Sequence, residues 1–209
     1  MKLIFLGPPG AGKGTIASRI SKDLNIPHIS TGDLFRKAIK NQTELGKKVQ
    51  QIIESGDLVP DALTVALVKE RLNNPDVENG YILDGFPRTI KQADSLESFS
   101  KIDNVINFVI SDEQVIQRLS GRRMCKNCGE GYHIENMKPQ KEGICDKCGE
   151  ELIIRPDDTP EAIKNRLAVY YESTAPLIDY YKEKGLLLDI DGAQEVGKVA
   201  EATSKAISK

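Results

Sequence analysis

Two groups of residues in this chain have types and spacings that can do chemistry. The first is Gly7-Pro8-Pro9-Gly10-Ala11-Gly12-Lys13-Gly14-Thr15. Glycines let the backbone turn sharply and aim several N–H groups inward, and a helix starting there adds its partial positive charge. Lys13 supplies a mobile cation for terminal phosphates. Thr15 offers a hydroxyl toward phosphate or magnesium. The run departs from G-x-x-x-x-G-K-[ST], because Gly14 stands where Ser or Thr is required. Thr15 therefore arrives one residue late for direct magnesium ligation. The second group is Cys125-Lys126-Asn127-Cys128-Gly129 and Cys145-Asp146-Lys147-Cys148-Gly149. Each C-x-x-C-G turn can face two sulfurs toward one ion. Cys125, Cys128, Cys145 and Cys148 together make a closed, tetrahedral, structural metal site. Zinc is the expected metal, and iron suits the same ligands. Two disulfides, or four free thiols, are the alternatives. His133 lies nearby, but four thiolates already fill the coordination sphere.

These residues need elements to hold them. Lys2–Leu6 is a short apolar run ending in glycine and proline, which reads as a buried strand. Ile16, Ile20 and Leu24 then recur at helical spacing. The opening is thus strand, glycine loop, helix. Tyr81–Asp84, Val105–Ile110 and Leu186–Ile190 are further strand candidates. A helix starts at Pro60-Asp61 and carries Leu63, Leu67 and Leu72. Another is capped by Ser111, with Gln114 three residues on. A third opens at Thr159-Pro160, and Pro176 should break or kink it. The last begins near Ala193 and aligns Val196, Val199, Ala200 and Thr203. Strands alternating with helices imply an α/β fold with a parallel sheet covered on both faces. Ligands then bind at the carboxyl ends of the strands. Residues 30–59, helical, and 121–158, rich in glycine and proline, interrupt the alternation and read as insertions.

The chain has 209 residues, 39% hydrophobic and 29% charged, which suits one core domain with small insertions. A net charge of -2 argues against a nucleic-acid partner. No run approaches the roughly 20 apolar residues of a membrane span. No signal-peptide core is visible, so a cytoplasmic location is expected. The Asn-Lys-x-Asp motif of regulatory GTPases is absent from the sequence.

Several motifs follow one another along the chain: Gly7–Thr15 in the form G-x-P-G-x-G-K-G-T, Thr31-Gly32-Asp33-Leu34-Phe35-Arg36, Asp84-Gly85-Phe86-Pro87-Arg88, Gly121-Arg122-Arg123, Arg155-Pro156-Asp157-Asp158, and a helix containing Arg166. In this order the chain resembles the adenylate kinase family, within the nucleoside monophosphate kinases, over nearly its whole length. The resemblance implies a P-loop three-layer fold with a central parallel sheet. Its core would be 1–29, 60–120 and 159–209, with a helical AMP-binding insertion at 30–59 and a zinc-binding lid at 121–158. It implies direct in-line transfer from ATP to AMP, giving two ADP. A kinase for UMP, CMP or GMP is the alternative. The implied catalytic residues are Lys13, Asp84, Arg88, Arg122, Arg155 and Arg166. ATP would meet Gly10, Ala11, Gly12, Lys13, Gly14, Thr15, Arg122, Gly131, Tyr132 and Gln194. AMP would meet Thr31, Arg36, Asp57, Leu58, Val59, Gly85, Phe86, Pro87, Arg88, Gln92, Arg155 and Arg166. Arg118 and Arg123 would assist. Asp84 would hold Mg2+ through water, since that ion keeps much of its hydration shell. A monomer is implied.

The chemistry agrees with that distribution. Two polyphosphates repel strongly unless cations surround them. Phosphoryl transfer asks mainly for positioning and charge stabilisation. Arginine's planar fork suits phosphate.

Overall fold

A computed structural model describes residues 1–208. Its central sheet is parallel, in the order β2-β3-β1-β4-β8. The strands are β1 (Lys2–Leu6), β2 (His28–Ser30), β3 (Tyr81–Asp84), β4 (Asn104–Val109) and β8 (Leu187–Asp191). Each of the four expected strands forms, within a residue of its expected bounds. β2 was not foreseen: at three residues it is too short to show a period, and it is fixed by pairing Ile29 with Leu83.

Parallel strands are buried on both faces, which explains their unbroken apolar runs. One face packs Ile4, Leu6, Leu83 and Val105 against Leu96, Leu177 and Tyr181. The other packs Leu3, Phe5, Ile82, Ile106 and Phe108 against Ile16, Ile20 and Val199. The covering helices include α1 (Lys13–Leu24), α4 (Asp61–Arg71), α5 (Ile90–Glu97), α8 (Pro176–Glu183) and α9 (Val196–Ile207). Two faces differ from expectation. On α4, Leu63 is 40% exposed whereas Thr64 is 5% exposed and Val68 is buried. Thr64 tolerates burial because its hydroxyl donates to the Val59 carbonyl oxygen at 3.3 Å. On α9, Val196 faces solvent and Val199, Thr203 and Ile207 face the sheet.

Residues 31–59 form two helices, α2 (Thr31–Lys40) and α3 (Glu44–Ser55). Their contact is a separate small core around Phe35, Val49 and Val59. Helix α6 (Asp112–Ser120) is capped by the Ser111 hydroxyl, which accepts from the Gln114 N–H. Beyond it lies a small antiparallel sheet, β6-β5-β7, made of β5 (Arg122–Cys125), β6 (Gly131–His133) and β7 (Leu152–Ile153). The chain returns through α7 (Pro160–Val169), which the Thr159 hydroxyl caps. A π-helical turn, Tyr170–Thr174, then accommodates Pro176. There the Ala175 N–H reaches back five residues to the Tyr170 carbonyl oxygen at 2.8 Å. The expected interruption at Pro176 is thus an inserted residue in the helical path.

Candidate active site

The phosphate-binding loop leaves the carboxyl end of β1, and α1 begins at Lys13. Gly12 occupies the capping position in the left-handed region, with φ 89°, and brings no side chain to cap the helix. The first N–H groups of α1 are therefore left for a ligand, as anion binding requires. Lys13 curls into the loop and donates from Nζ to the carbonyl oxygens of Gly7 at 2.8 Å and Pro8 at 2.7 Å. Burial lowers its pKa to about 8, and the charges of Arg88, Arg166 and Arg122 push the same way against Asp84.

Asp84 ends β3 beside this loop. Burial alone would raise its carboxyl. The His28 hydrogen bond and the charges of Lys13 and Arg88 outweigh burial and hold it below the usual range. His28 Nε2 lies 3.3 Å from Asp84 Oδ2. A side chain at position 14 would place its Cβ 3.3 Å from the same oxygen. That accounts for glycine where related loops carry Ser or Thr: the position faces a carboxylate.

Opposite lies a cleft between the 31–59 helices and the carboxyl ends of β2 and β3. Of the residues expected to meet AMP, Thr31, Arg36, Asp57, Leu58, Val59, Gly85, Arg88, Gln92, Arg155 and Arg166 line it. Phe86 and Pro87, expected there through their backbone, turn their side chains away from it. Phe86 is 1% exposed and packs in the sheet core. Pro87, after a cis peptide bond, is also buried. Their part is to turn the chain so that Arg88 faces the cleft. Arg88 is fixed by its Nε donating to the Gly85 carbonyl oxygen at 2.9 Å. Its own carbonyl oxygen accepts from the Thr174 hydroxyl at 2.9 Å. Gln92 is 1% exposed: its Oε1 accepts the Arg88 N–H and its Nε2 donates to Asp61, both at 2.7 Å. The Asp57 carboxylate turns outward to Ser55 and Asn165.

Arg122, Arg155 and Arg166 converge on two buried carboxylates. Arg155 pairs with Asp157, Arg122 with Asp158, and Arg166 with both. Burial lowers Arg166 to about 10, and the neighbouring Arg122 and Arg155 charges contribute. It stays protonated at neutral pH. Asp157 and Asp158 hold three guanidinium groups together. Asp157, Asp158 and His28 carry no role in the sequence reading. The alternation of charge in Arg155-Pro156-Asp157-Asp158 was the available signal for the first two; nothing local marks His28.

The remaining expected residues are more scattered. Gly131 and Tyr132 lie on β6, and the Tyr132 hydroxyl is committed to the cysteine cluster. Gln194 donates to Asp191. Arg118 ties the loop carrying Gln194 to the phosphate loop, reaching the carbonyl oxygens of Ala193 and Ala11. Arg123 spends its guanidinium on the carbonyls of Ser120 and Arg122.

The four cysteine sulfurs all lie within 4.8 Å of one another. The nearest pairs are Cys125 with Cys148 at 3.4 Å and Cys128 with Cys145 at 3.6 Å. Both exceed the ~2.05 Å of a disulfide, which removes the two-disulfide alternative. Thiolates around one zinc ion stand about 3.8 Å apart, given Zn–S bonds near 2.3 Å. The donor set and its dimensions therefore fit a tetrahedral metal. Gly129 and Gly149 close the two turns with φ of 76° and 74°, a region costly for other residues.

A family model described as adenylate kinase matches residues 5–186. The chain belongs to the adenylate kinase family. It is 64% identical to the adenylate kinase of Treponema denticola over 199 residues, 95% of each chain. It is 51% identical to the adenylate kinase of Caldicellulosiruptor bescii over 212 residues, 99% of each chain. It is 49% identical to the adenylate kinase of Archaeoglobus fulgidus over 214 residues, 100% of this chain and 99% of that one. Family membership makes the chain a phosphotransferase. Among the described residues, no helix is long and apolar enough to cross a membrane.

Proposed function

We propose that this chain reversibly transfers the terminal phosphoryl group of ATP to AMP, giving two ADP. The observation that carries this reading is a second phosphate site facing the first. Arg36, Arg88, Arg155 and Arg166 line a cleft shaped by Thr31, Val59 and Gln92, and Lys13 and Asp84 stand across from it. In this reading ATP lies along Gly10–Thr15, with Arg122, Gly131, Tyr132 and Gln194 on its outer side. AMP lies in the cleft, its phosphate between Arg36 and Arg88. Arg122, Arg155 and Arg166 leave Asp157 and Asp158 in part to neutralise the transferring group.

Asp84 is the residue that would hold Mg2+, through water; the ion supplies charge neutralisation between the ATP phosphates. Cys125, Cys128, Cys145 and Cys148 would hold zinc. That metal stabilises a lid whose small apolar cluster is Cys125, Tyr132, Cys145 and Leu152. The core is 1–29, 60–120 and 159–209, the acceptor insertion 30–59, and the lid 121–158. Closure of the lid excludes water, which would otherwise accept the phosphate. The protein works as a cytoplasmic monomer without nucleic-acid or membrane partners. A coupled assay for ADP from ATP and AMP, with and without Mg2+, tests the reading. Equal or better turnover with UMP, CMP or GMP would overturn the choice of AMP.

A further inference from the structure

Helix α2 faces the lid at both of its ends. Near its start, the Asp33 charge adds to that of Asp157 in raising Arg155, and Asp157 in turn opposes the lowering that burial and the Arg155 charge impose on Arg36. At its end, Lys40 Nζ donates to the main-chain carbonyl oxygen of Asn127 at 2.8 Å, across 87 residues of sequence. Among the described residues this is the one hydrogen bond between 30–59 and 121–154, and Lys40 has no carboxylate partner there.

Asn127 sits between two metal-binding cysteines. In that turn the Cys128 N–H points in to Cys125 Sγ at 3.4 Å, and the Gly129 N–H closes on the Cys125 carbonyl oxygen at 3.1 Å. With the Cys128 N–H turned toward sulfur, the carbonyl of the same peptide, that of Asn127, is turned out toward Lys40. Its direction depends on the turn staying wound around its sulfurs, which an ion bound to Cys125 and Cys128 enforces.

We propose that Lys40 is a positioning residue that couples the acceptor insertion to the metal-binding turn, so that metal occupancy and closure over nucleotide support each other. This rests on the kinase reading and on the cysteines holding zinc. The bond is exposed at both ends, so its effect is a few-fold. Coupling of this kind is reciprocal: if metal favours the closed form, nucleotides that close the site must tighten metal binding by the same factor.

The test uses the zinc-loaded full chain and a chromophoric chelator, without Mg2+. Metal release is timed with and without AMP plus a non-transferable ATP analogue. In the native protein, nucleotides should slow release about threefold more than they do in Lys40→Met, and Lys40→Arg should restore the difference. In steady state, Lys40→Met should raise KM for AMP about threefold in the zinc-loaded protein, with kcat little changed, and have no further effect once zinc is stripped. Equal nucleotide protection in native and Lys40→Met protein overturns the proposal. So does an equal KM penalty with and without zinc. Native protein that forms no ADP, or retains no zinc, would refute the underlying reading, and either result is distinguishable from those two.

Discussion

Replacing Lys13 by Met should abolish phosphoryl transfer and, at the same time, stabilise the protein without ligand. The ammonium is partly buried and its pKa falls from 10.5 to about 8. Keeping it charged at neutral pH therefore costs about 3 kcal/mol. Against this, Met gives up two hydrogen bonds to the Gly7 and Pro8 carbonyls, worth about 1 kcal/mol each. The net expectation is about 1 kcal/mol of added stability at pH 7. The sign of the pH dependence follows from the same shift. Between pH 8 and 10.5 the unfolded chain still binds the proton that the folded chain has lost. Stability of the native protein rises with pH through that window, and the Met variant lacks this contribution. From pH 7 to 9 the native protein should gain about 1 kcal/mol relative to Lys13→Met. Urea denaturation of both proteins at the two pH values measures the difference. Parallel stabilities would mean that Lys13 is not confined as described, and a variant that keeps near-normal turnover would sink the assignment of its role.

Arg88→Lys keeps the charge but loses the planar fork, and KM for AMP should rise about 10- to 100-fold. Asp84→Asn should remove most Mg2+-dependent turnover while leaving AMP binding, measured by calorimetry, within a few-fold of native. Tyr132→Phe deletes the hydroxyl that donates to Cys145 Sγ at 3.5 Å and accepts the Asp146 N–H at 2.8 Å. Zinc release to a chelator should quicken by about tenfold. Stripping the metal should expose 121–158 to limited proteolysis while far-UV dichroism reports an intact parallel sheet.

The central sheet was legible because buried parallel strands carry long apolar runs, and Tyr81–Asp84 and Lys2–Leu6 are such runs. The lid sheet was not. Its strands are two to four residues long, too short for alternation, and they are held by the cysteine cluster and not by a hydrophobic face. The α4 face was misread because Leu63 is more apolar than Thr64, and the reading did not credit the local bonds from the Thr64 hydroxyl to the Val59 and Pro60 carbonyl oxygens that make its burial tolerable. Within the site, motif order located the phosphate loop and most of the cleft. It did not show that Phe86 belongs to the core, since a motif does not say which of its members faces the ligand. Nor did it show that Asp157 and Asp158 would gather three arginines, a relation that exists only after folding.

The π-helical turn at Tyr170–Thr174 acts as a phase adjuster between two jobs. Upstream of it, α7 aims Asn165 at the end of α3 and Arg166 at the carboxylate pair. Downstream, α8 aims Leu177 and Tyr181 into the sheet core. The extra residue lets each helix keep its own rotation, and it delivers the Thr174 hydroxyl to the backbone of Arg88. Removing one residue from this turn would leave both helices intact as helices yet rotate one against the other by about 100°. This stretch therefore tolerates changes of side chain far better than changes of length: a single deletion would set the core's registration against that of Arg166, and one of the two would be lost.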